Sequence, residues 1–254
     1  MTKIYYFSGT GNSLWSAREI ARIMGGELCN IGVEAQKDEI TVEADAVVMV
    51  FPSYAYGLPL AVRRFAKNAV FKTPYAAALV TYGSSPGGTL GALRRLLKKK
   101  GIGALFFGRI PAVENYLAMF GPPNARTLER RVLMQEKATE EAARAIIERR
   151  ENRVNTFCPF SAFVSWLFSL GVKLFYRHYR ISGDCNGCGV CAKICPVAAI
   201  VMRDNRPLFT PTCEHCQGCV NICPLRAIRF GRVQWGSPGY RHPHIAISEL
   251  GVNQ

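Results

Sequence analysis

The chain has 254 residues, 49% of them hydrophobic, with 32 Lys and Arg against 18 Asp and Glu, for a formal net charge of +14. That length suits one medium domain plus a small one, and the apolar share is enough for a real core. A basic balance fits an acidic protein, an anionic membrane or nucleic acid; no nucleic-acid motif or aromatic stacking pattern accompanies it, and nucleic acid is set aside.

Met1 leads directly into apolar residues 4–7 rather than into a signal peptide, so a cytoplasmic protein is expected. Residues 3–7 (Lys-Ile-Tyr-Tyr-Phe) read as a buried strand. Ser8, Gly9, Thr10, Gly11, Asn12 and Ser13 follow, then a helix over 14–24. A strand, a small hydroxyl-rich loop and a helix make an anion cradle: backbone N–H groups at the helix start point at a phosphate, and the Ser and Thr hydroxyls add donors. The loop holds no basic side chain, so donors rather than charges do the binding. No Gly-Lys-Ser/Thr follows, and Leu14 stands where a dinucleotide fingerprint needs its third glycine. An ordinary strand-to-helix turn is the plainer alternative.

The alternation continues with a short strand near 28–31, a strand over 44–51, an aromatic-rich loop over 52–59 and a helix over 60–70. Then come a strand over 75–82, a loop over 83–88, a helix over 89–100, a strand over 102–110 and a long charged helix over 126–150. These elements predict an α/β fold with a five-stranded parallel sheet. Ligands of such sheets bind beyond the carboxyl ends of the strands, where loops 8–13, 52–59 and 82–88 lie. Residues 46–113 contain no carboxylate against ten Lys and Arg. Arg94, Arg95, Lys98, Lys99 and Lys100 end one helix with a basic patch, which either steers an acidic partner or complements the helix C-terminus.

Residues 156–176 are apolar with one charge, Lys173, and Pro159 suits a helix start. Ser161, Ser165, Ser169, Lys173 and Arg177 recur every four residues as a narrow polar stripe. A helix apolar nearly all round is buried or in lipid. Packing between two modules, peripheral contact of 157–180 with a membrane through Lys173, Arg177 and Arg180, and a span all remain open, although the uninterrupted run 157–172 is short for a span.

Eight of the ten cysteines form two runs of C-x2-C-x2-C-x3-C-P, at Cys185, Cys188, Cys191, Cys195 and Pro196, and 28 residues later at Cys213, Cys216, Cys219, Cys223 and Pro224. Ile194 and Ile222, Ala199 and Ala227, and Ile200 and Ile228 repeat with them, an internal duplication around a small apolar core. Triple CxxCxxC runs are not the paired CxxC of structural zinc, and disulfide scaffolds belong to secreted chains. Cys29 and Cys158 read as free thiols. His242 and His244 have no third ligand nearby, so the tail is expected to lie over the domains through Trp235 and Tyr240.

These runs resemble those of the bacterial two-cluster ferredoxins. The resemblance implies that Cys185, Cys188, Cys191 and Cys223 hold one [4Fe–4S] cluster and that Cys213, Cys216, Cys219 and Cys195 hold the second. The loop from Ser8 to Ser13 resembles the phosphate loop of flavodoxins, and loops 52–59 and 82–88 fall where flavodoxins hold the isoalloxazine ring. The order of modules is similar to that of the flavodoxin–ferredoxin fusion proteins of anaerobes. It implies a flavodoxin-like FMN domain over 1–150, a helical linker over 151–181, an α+β ferredoxin-like domain over 182–230 and a tail over 231–254. By the same resemblance the FMN phosphate binds Ser8, Thr10, Gly11, Asn12 and Ser13. The ring lies among Pro52, Ser53, Tyr54, Ala55, Tyr56, Gly57, Tyr82 and Gly83, with Tyr54 and Tyr56 flanking it and Asn115 and Tyr116 closing a fourth side. The implied function is intracellular electron transfer between FMN and two [4Fe–4S] clusters, with an acidic redox partner: a ferredoxin, a flavodoxin or an oxidoreductase. No acid–base constellation is present, which favours such a relay. An FMN-dependent reductase serving a quinone, a nitro compound or another small acceptor is the alternative, and a redox sensor is a third reading.

Overall fold

The computed structural model describes residues 1–155, 158–230 and 239–252; the expected contact through Trp235 lies outside them, as does Phe157 at the head of the linker run. The first module alternates strands and helices. Strand β1 (Thr2–Tyr6) leads into α1 (Asn12–Met24), β2 (Glu27–Asn30) and the single turn α2 (Ile31–Glu34). A short strand β3 (Thr41–Glu43) precedes β4 (Ala46–Pro52) and α3 (Leu60–Asn68). Then follow β5 (Val70–Lys72), β6 (Tyr75–Tyr82), α4 (Thr89–Lys99), β7 (Ala104–Pro111), the turn α5 (Leu117–Phe120) and the long helix α6 (Ala125–Ile147). Strands β2-β1-β4-β6-β7 form one sheet, all pairs parallel. Counted within the sheet, that order is 2-1-3-4-5, the flavodoxin-like doubly wound topology. The expected five strands are all present. The pair β3·β5, joined in parallel beside the sheet, was not legible because three-residue strands carry no periodicity.

Central strands β4 and β6 are buried almost throughout, as expected of parallel strands covered on both faces. Phe51, Phe65, Leu93 and Phe107 fill one face under α3 and α4, while Leu14, Ile20, Val50, Leu79 and Ile146 fill the other under α1 and α6.

Helix α7 (Pro159–Phe175) carries the chain to the second module, with Pro159 at its first turn as the sequence predicts. The second module comprises β8 (Tyr179–Ile181), α8 (Val190–Lys193), β9 (Ile200–Arg203), β10 (Arg206–Phe209), α9 (Gly218–Ile222) and β11 (Ile228–Phe230). β9 pairs antiparallel with β10, and β11 with β8, so each pair takes one strand from each duplicated half. Because β8 is the partner of β11, this module begins at Tyr179, slightly before the expected 182.

The duplicated apolar residues do not share one core, as the sequence had suggested. Ala199, Ile200 and Ile228 pack around the cysteines, but Ile194 and Ile222 join the α1 side of the large sheet. They sit at the ends of α8 and α9, on the faces turned to the first module. The two modules are joined at close backbone range. A Cβ at Gly32 would overlap the Pro196 carbonyl oxygen, so only glycine lets α2 meet the first cysteine run there.

The tail closes the assembly. Tyr240 Oη donates to Asn12 Oδ1 at 2.6 Å, and the His242 N–H donates to the Thr10 carbonyl at 2.9 Å. His242 is fully buried, stacked on Trp15 at 5.0 Å, with Nε2 lacking a hydrogen-bond partner. Burial, then the positive groups of His244, Arg18 and Arg241, push its pKa down to about 3. The unfolded chain therefore takes up a proton near the ordinary histidine pKa of 6.5 that the folded chain refuses. The stability tied to neutral His242 is complete above that value and is lost as pH falls towards about 3. Between pH 7 and pH 5 the loss amounts to about 2 kcal/mol. His242→Gln should remove this slope, so the melting temperature of the variant should fall less than that of the wild type between pH 7 and pH 5.

Candidate functional site

A cavity of about 330 Å³ opens at the carboxyl ends of β1, β4, β6 and β7, at the point where the strand order reverses. Eleven of the thirteen residues expected for a cofactor line it: Ser8, Thr10, Asn12, Ser13, Pro52, Ser53, Tyr54, Ala55, Tyr56, Tyr82 and Gly83. Gly11 and Gly57 do not. Gly11 caps α1 with φ 102°, pressed beneath His242 and Ile245 of the tail. Gly57 instead provides the seat for α7, since a Cβ there would overlap Ser165 Oγ. Asn115 and Tyr116 line the cavity from the β7 side, as expected.

The floor of the cavity is a donor cradle. No side chain caps α1 and its first turn holds no acid, so its first N–H groups remain available to an anion. Ser8 Oγ accepts from the Gly11 N–H at 3.1 Å, and Thr10 Oγ1 accepts from Asn115 Nδ2 at 2.6 Å. Both hydroxyls keep their own protons to donate. Asn12 departs from expectation: its side chain is spent between loops, donating to the Val113 carbonyl at 3.0 Å and accepting from Tyr240. Ser13 shares a hydrogen bond with Thr81 at 2.8 Å. These two residues hold the cradle walls. Among the described residues no Lys or Arg lines the cavity.

Tyr54 and Tyr56 flank a tight turn in which Tyr54 and Gly57 exchange backbone hydrogen bonds at 3.0 and 2.9 Å. Ala55 and Tyr56 lie in the left-handed region, at φ 45° and 64°. Non-glycine residues there cost about 1–2 kcal/mol each. Strain of this kind persists only where surrounding structure imposes it. The hydroxyl of Tyr54 lies near Cys216, and its pKa is raised by burial and then by Cys216 and Glu214.

Cys216 itself lines the cavity, together with His215. The second cysteine run is therefore a wall of the same cavity. A Cβ at Gly9 would stand 3.0 Å from Cys216 Cβ, and one at Gly218 would stand 2.6 Å from the Gly9 carbonyl oxygen. Glu214, between Cys213 and His215, accepts from the Leu60 and Ala61 N–H groups at 2.7 and 2.5 Å. Helix α3 has no side-chain cap of its own, and the second module supplies one. Burial pushes the Glu214 pKa up to about 7, against the two N–H groups, which lower it. His215 is held between Tyr179 Oη, 2.9 Å from Nδ1, and Tyr116 Oη, 3.1 Å from Nε2. Burial lowers its pKa to about 4, so it is neutral at pH 7.

The cysteines separate into two sets of four. Cys185, Cys188, Cys191 and Cys223 ring one small cavity. Cys195 and Cys213 both act on Cys216, and Cys216, Cys213 and Cys195, with Cys191 after them, act on Cys219. Burial raises the thiol pKa of Cys191 and of Cys213 to about 11, and that of Cys216 and Cys219 further still. Four thiolates packed together away from water are satisfied only by a cationic group between them. Among the described residues no three such side chains converge on a single ion. The Ala199 N–H meets Cys195 Sγ at 3.1 Å and the Ala227 N–H meets Cys223 Sγ at 3.3 Å, the same bond in both halves.

Sequence reasoning missed Glu114, Val164, Phe168 and His215 as cavity residues. Glu114 accepts from the N–H groups of Asn115 and Tyr116 at 3.1 and 3.2 Å and so shapes their loop. A signal for His215 was present in the duplication. Gly187 and Gly189, at φ 75° and 72°, align with His215 and Gln217, at φ 55° and 56°. Where one repeat uses glycine for a left-handed residue and the other does not, the side chain has a task.

Residues 177–229 match the 4Fe-4S dicluster domain family. No curated protein matches the chain. Among solved structures, the chain is similar to the two-electron reduced flavodoxin of Megasphaera elsdenii (19% identity, 57% of this chain and 100% of that one, TM-score 0.34). It is also similar to an azoreductase from Bacillus anthracis (12%, 57% and 98%, TM-score 0.35) and to an NAD(P)H:quinone oxidoreductase from Methanothermobacter marburgensis (12%, 57% and 96%, TM-score 0.35). The chain thus joins a flavodoxin-like sheet to an iron–sulfur domain, an architecture for redox chemistry.

Removing the tertiary cap should loosen the joint between the modules. Glu214→Ala leaves two N–H groups of α3 unpaired and should cost about 1–2 kcal/mol, read as a lower unfolding midpoint in denaturant.

Proposed function

We propose that this protein transfers electrons between an FMN and two [4Fe–4S] clusters held in one chain. The observation that carries the reading is that Cys216, a ligand of the second cluster in this proposal, lines the same cavity as the Ser8–Ser13 cradle and the flanking Tyr54. When bound, the flavin supplies one- and two-electron chemistry and the clusters one-electron chemistry. The residues fit these groups: uncapped N–H groups and neutral hydroxyls for a phosphate, aromatic walls for a ring, and two thiol quartets, one more buried than the other, for two cubanes.

The chain's own work is placement. Ser8 and Thr10 donate to the phosphate and the α1 N-terminus offsets its charge. Tyr54 and Tyr56 hold the ring against the Cys216 loop. Tyr54, Tyr116 and His215 keep water out between the two cofactor sites, and covalent linkage makes the transfer intramolecular rather than diffusional. Backbone N–H groups on Cys195 and Cys223 stabilise negative charge on sulfur and so raise the reduction potential.

The two thiol sites differ in access. Cys188 is exposed and Cys185 half-buried, whereas Cys213 and Cys219 are buried. An acidic redox protein is therefore expected to dock at the Cys185–Cys191 loop. The basic end of α4 is a less suited docking face for transfer to the flavin. That helix returns the chain to the start of β7, so Lys98 and Lys99 lie at the edge of the sheet opposite the cavity.

The reading is tested by anaerobic titration of the reconstituted protein, following flavin and cluster absorbance. Reduced ferredoxin should bleach both chromophores, and NADH or NADPH alone should bleach neither; direct bleaching by a pyridine nucleotide would instead make the protein a reductase with its own substrate site. Cys191→Ala should halve the iron content while leaving the flavin bound. Ser8→Ala combined with Thr10→Val should weaken FMN binding about 100-fold, measured by fluorescence titration of the apoprotein.

A further inference from the structure

Helix α7 is built inside out. Its inward side is the serine stripe: Ser161 approaches Gly88, and Ser165 meets Gly57 where no larger residue fits. Val164 and Phe168 on that side line the cavity, and Val172 is buried. The outward side is apolar. Phe160, Phe163, Trp166, Leu167, Leu170 and Leu174 are each more than half exposed, Phe160 at 71%. A surface helix of a soluble protein turns its polar residues outward, and this one turns them inward. Met119 and Phe120 extend the face across the rim of the cavity, at 71% and 53% exposure.

Charge says what covers this face. No carboxylate occurs between Glu151 and Asp184, while Lys173, Arg177 and Arg180 stand exposed at the C-terminal end of the helix. Among the described residues none of the three is ion-paired. A row of Phe, Trp and Leu beside unpaired Lys and Arg is the pattern of a helix lying in the plane of an anionic lipid interface. A second copy seated on the same face would bring its own Lys173, Arg177 and Arg180, and no carboxylate from 152–183, to meet these cations. Pro159–His178 is long and apolar enough for a span by length and composition. However, the 17 residues of α7 reach only about 25 Å against about 30 Å of hydrocarbon, and the helix is seated against the loops of the sheet.

We propose that the outward face of α7 docks on an anionic bilayer and holds the cavity mouth at the lipid surface. The inference rests on this face and its flanking charges, independently of which cofactors fill the sites.

The test is co-sedimentation of the full-length, cofactor-loaded protein with vesicles of phosphatidylcholine alone and of phosphatidylcholine mixed with phosphatidylglycerol. Binding to the anionic vesicles should exceed binding to the neutral ones by at least about tenfold, and Trp166 emission, identified by its absence in Trp166→Phe, should shift to the blue. Leu167→Ser with Leu170→Ser should abolish binding, and Lys173→Glu with Arg177→Glu should reduce anionic binding to the neutral level. All four side chains are exposed, so the melting temperature and the flavin and iron contents of these variants should stay at wild-type values. Absence of wild-type binding to either vesicle, or binding indifferent to the serine variants, overturns the proposal. A dimer that dissociates in the serine variants also overturns it and assigns the face to a second copy. Loss of flavin or iron from wild-type protein would count against the functional reading and leave the docking result standing.

Discussion

The second cysteine loop is pressed, backbone on backbone, against the Ser8–Ser13 loop of the sheet. A Cβ on Gly218 would overlap the Gly9 carbonyl oxygen, one on Gly9 would crowd Cys216, and Glu214 reaches across to satisfy two N–H groups of α3. A buried carboxylate with no partner would be expensive, and so would an uncapped buried helix start; each removes the other's penalty. The joint therefore holds only in one geometry. From it follow the cavity wall made by His215 and Cys216 beside Tyr54, and the seating of Ile194 and Ile222 on the sheet.

The duplicated halves have become unequal under this constraint. The first loop keeps glycine at both left-handed positions and stays exposed at Cys188. The second carries His215 and Gln217 there and is buried between two modules. The duplication supplies two thiol quartets of similar design. Docking assigns one to the interior beside the cavity and the other to the surface.

Helix α7 completes the arrangement by a trade in polarity. Close approach to the loops around Gly57 and Gly88 needs small side chains, and serine provides them with a hydroxyl that bonds locally, as Ser161 Oγ does to the Cys158 carbonyl at 3.1 Å. The large apolar residues are thereby left facing outward. Basic residues stand at the end of α7, at the end of α4 and along α6, so the net charge of the chain is not one undivided field.

Much of this architecture was legible in the residues. Continuous apolar strands and regular helix punctuation determined the sheet, because hydrophobic period and turn chemistry are local properties. The cysteine runs marked eight thiols as candidate ligands, because spacing limits which thiols one loop can present. The loop Ser8–Ser13 was legible as a cradle from its small donors alone. Tertiary structure decided the rest. That Asn12 braces Val113 and Tyr240, that Gly57 seats a helix, and that His215 faces the cavity depend on chain segments more than 90 residues apart. The direction in which α7 turns its serine stripe was equally hidden, since a narrow polar stripe on an apolar helix fits either side until a neighbour with room only for small residues selects one.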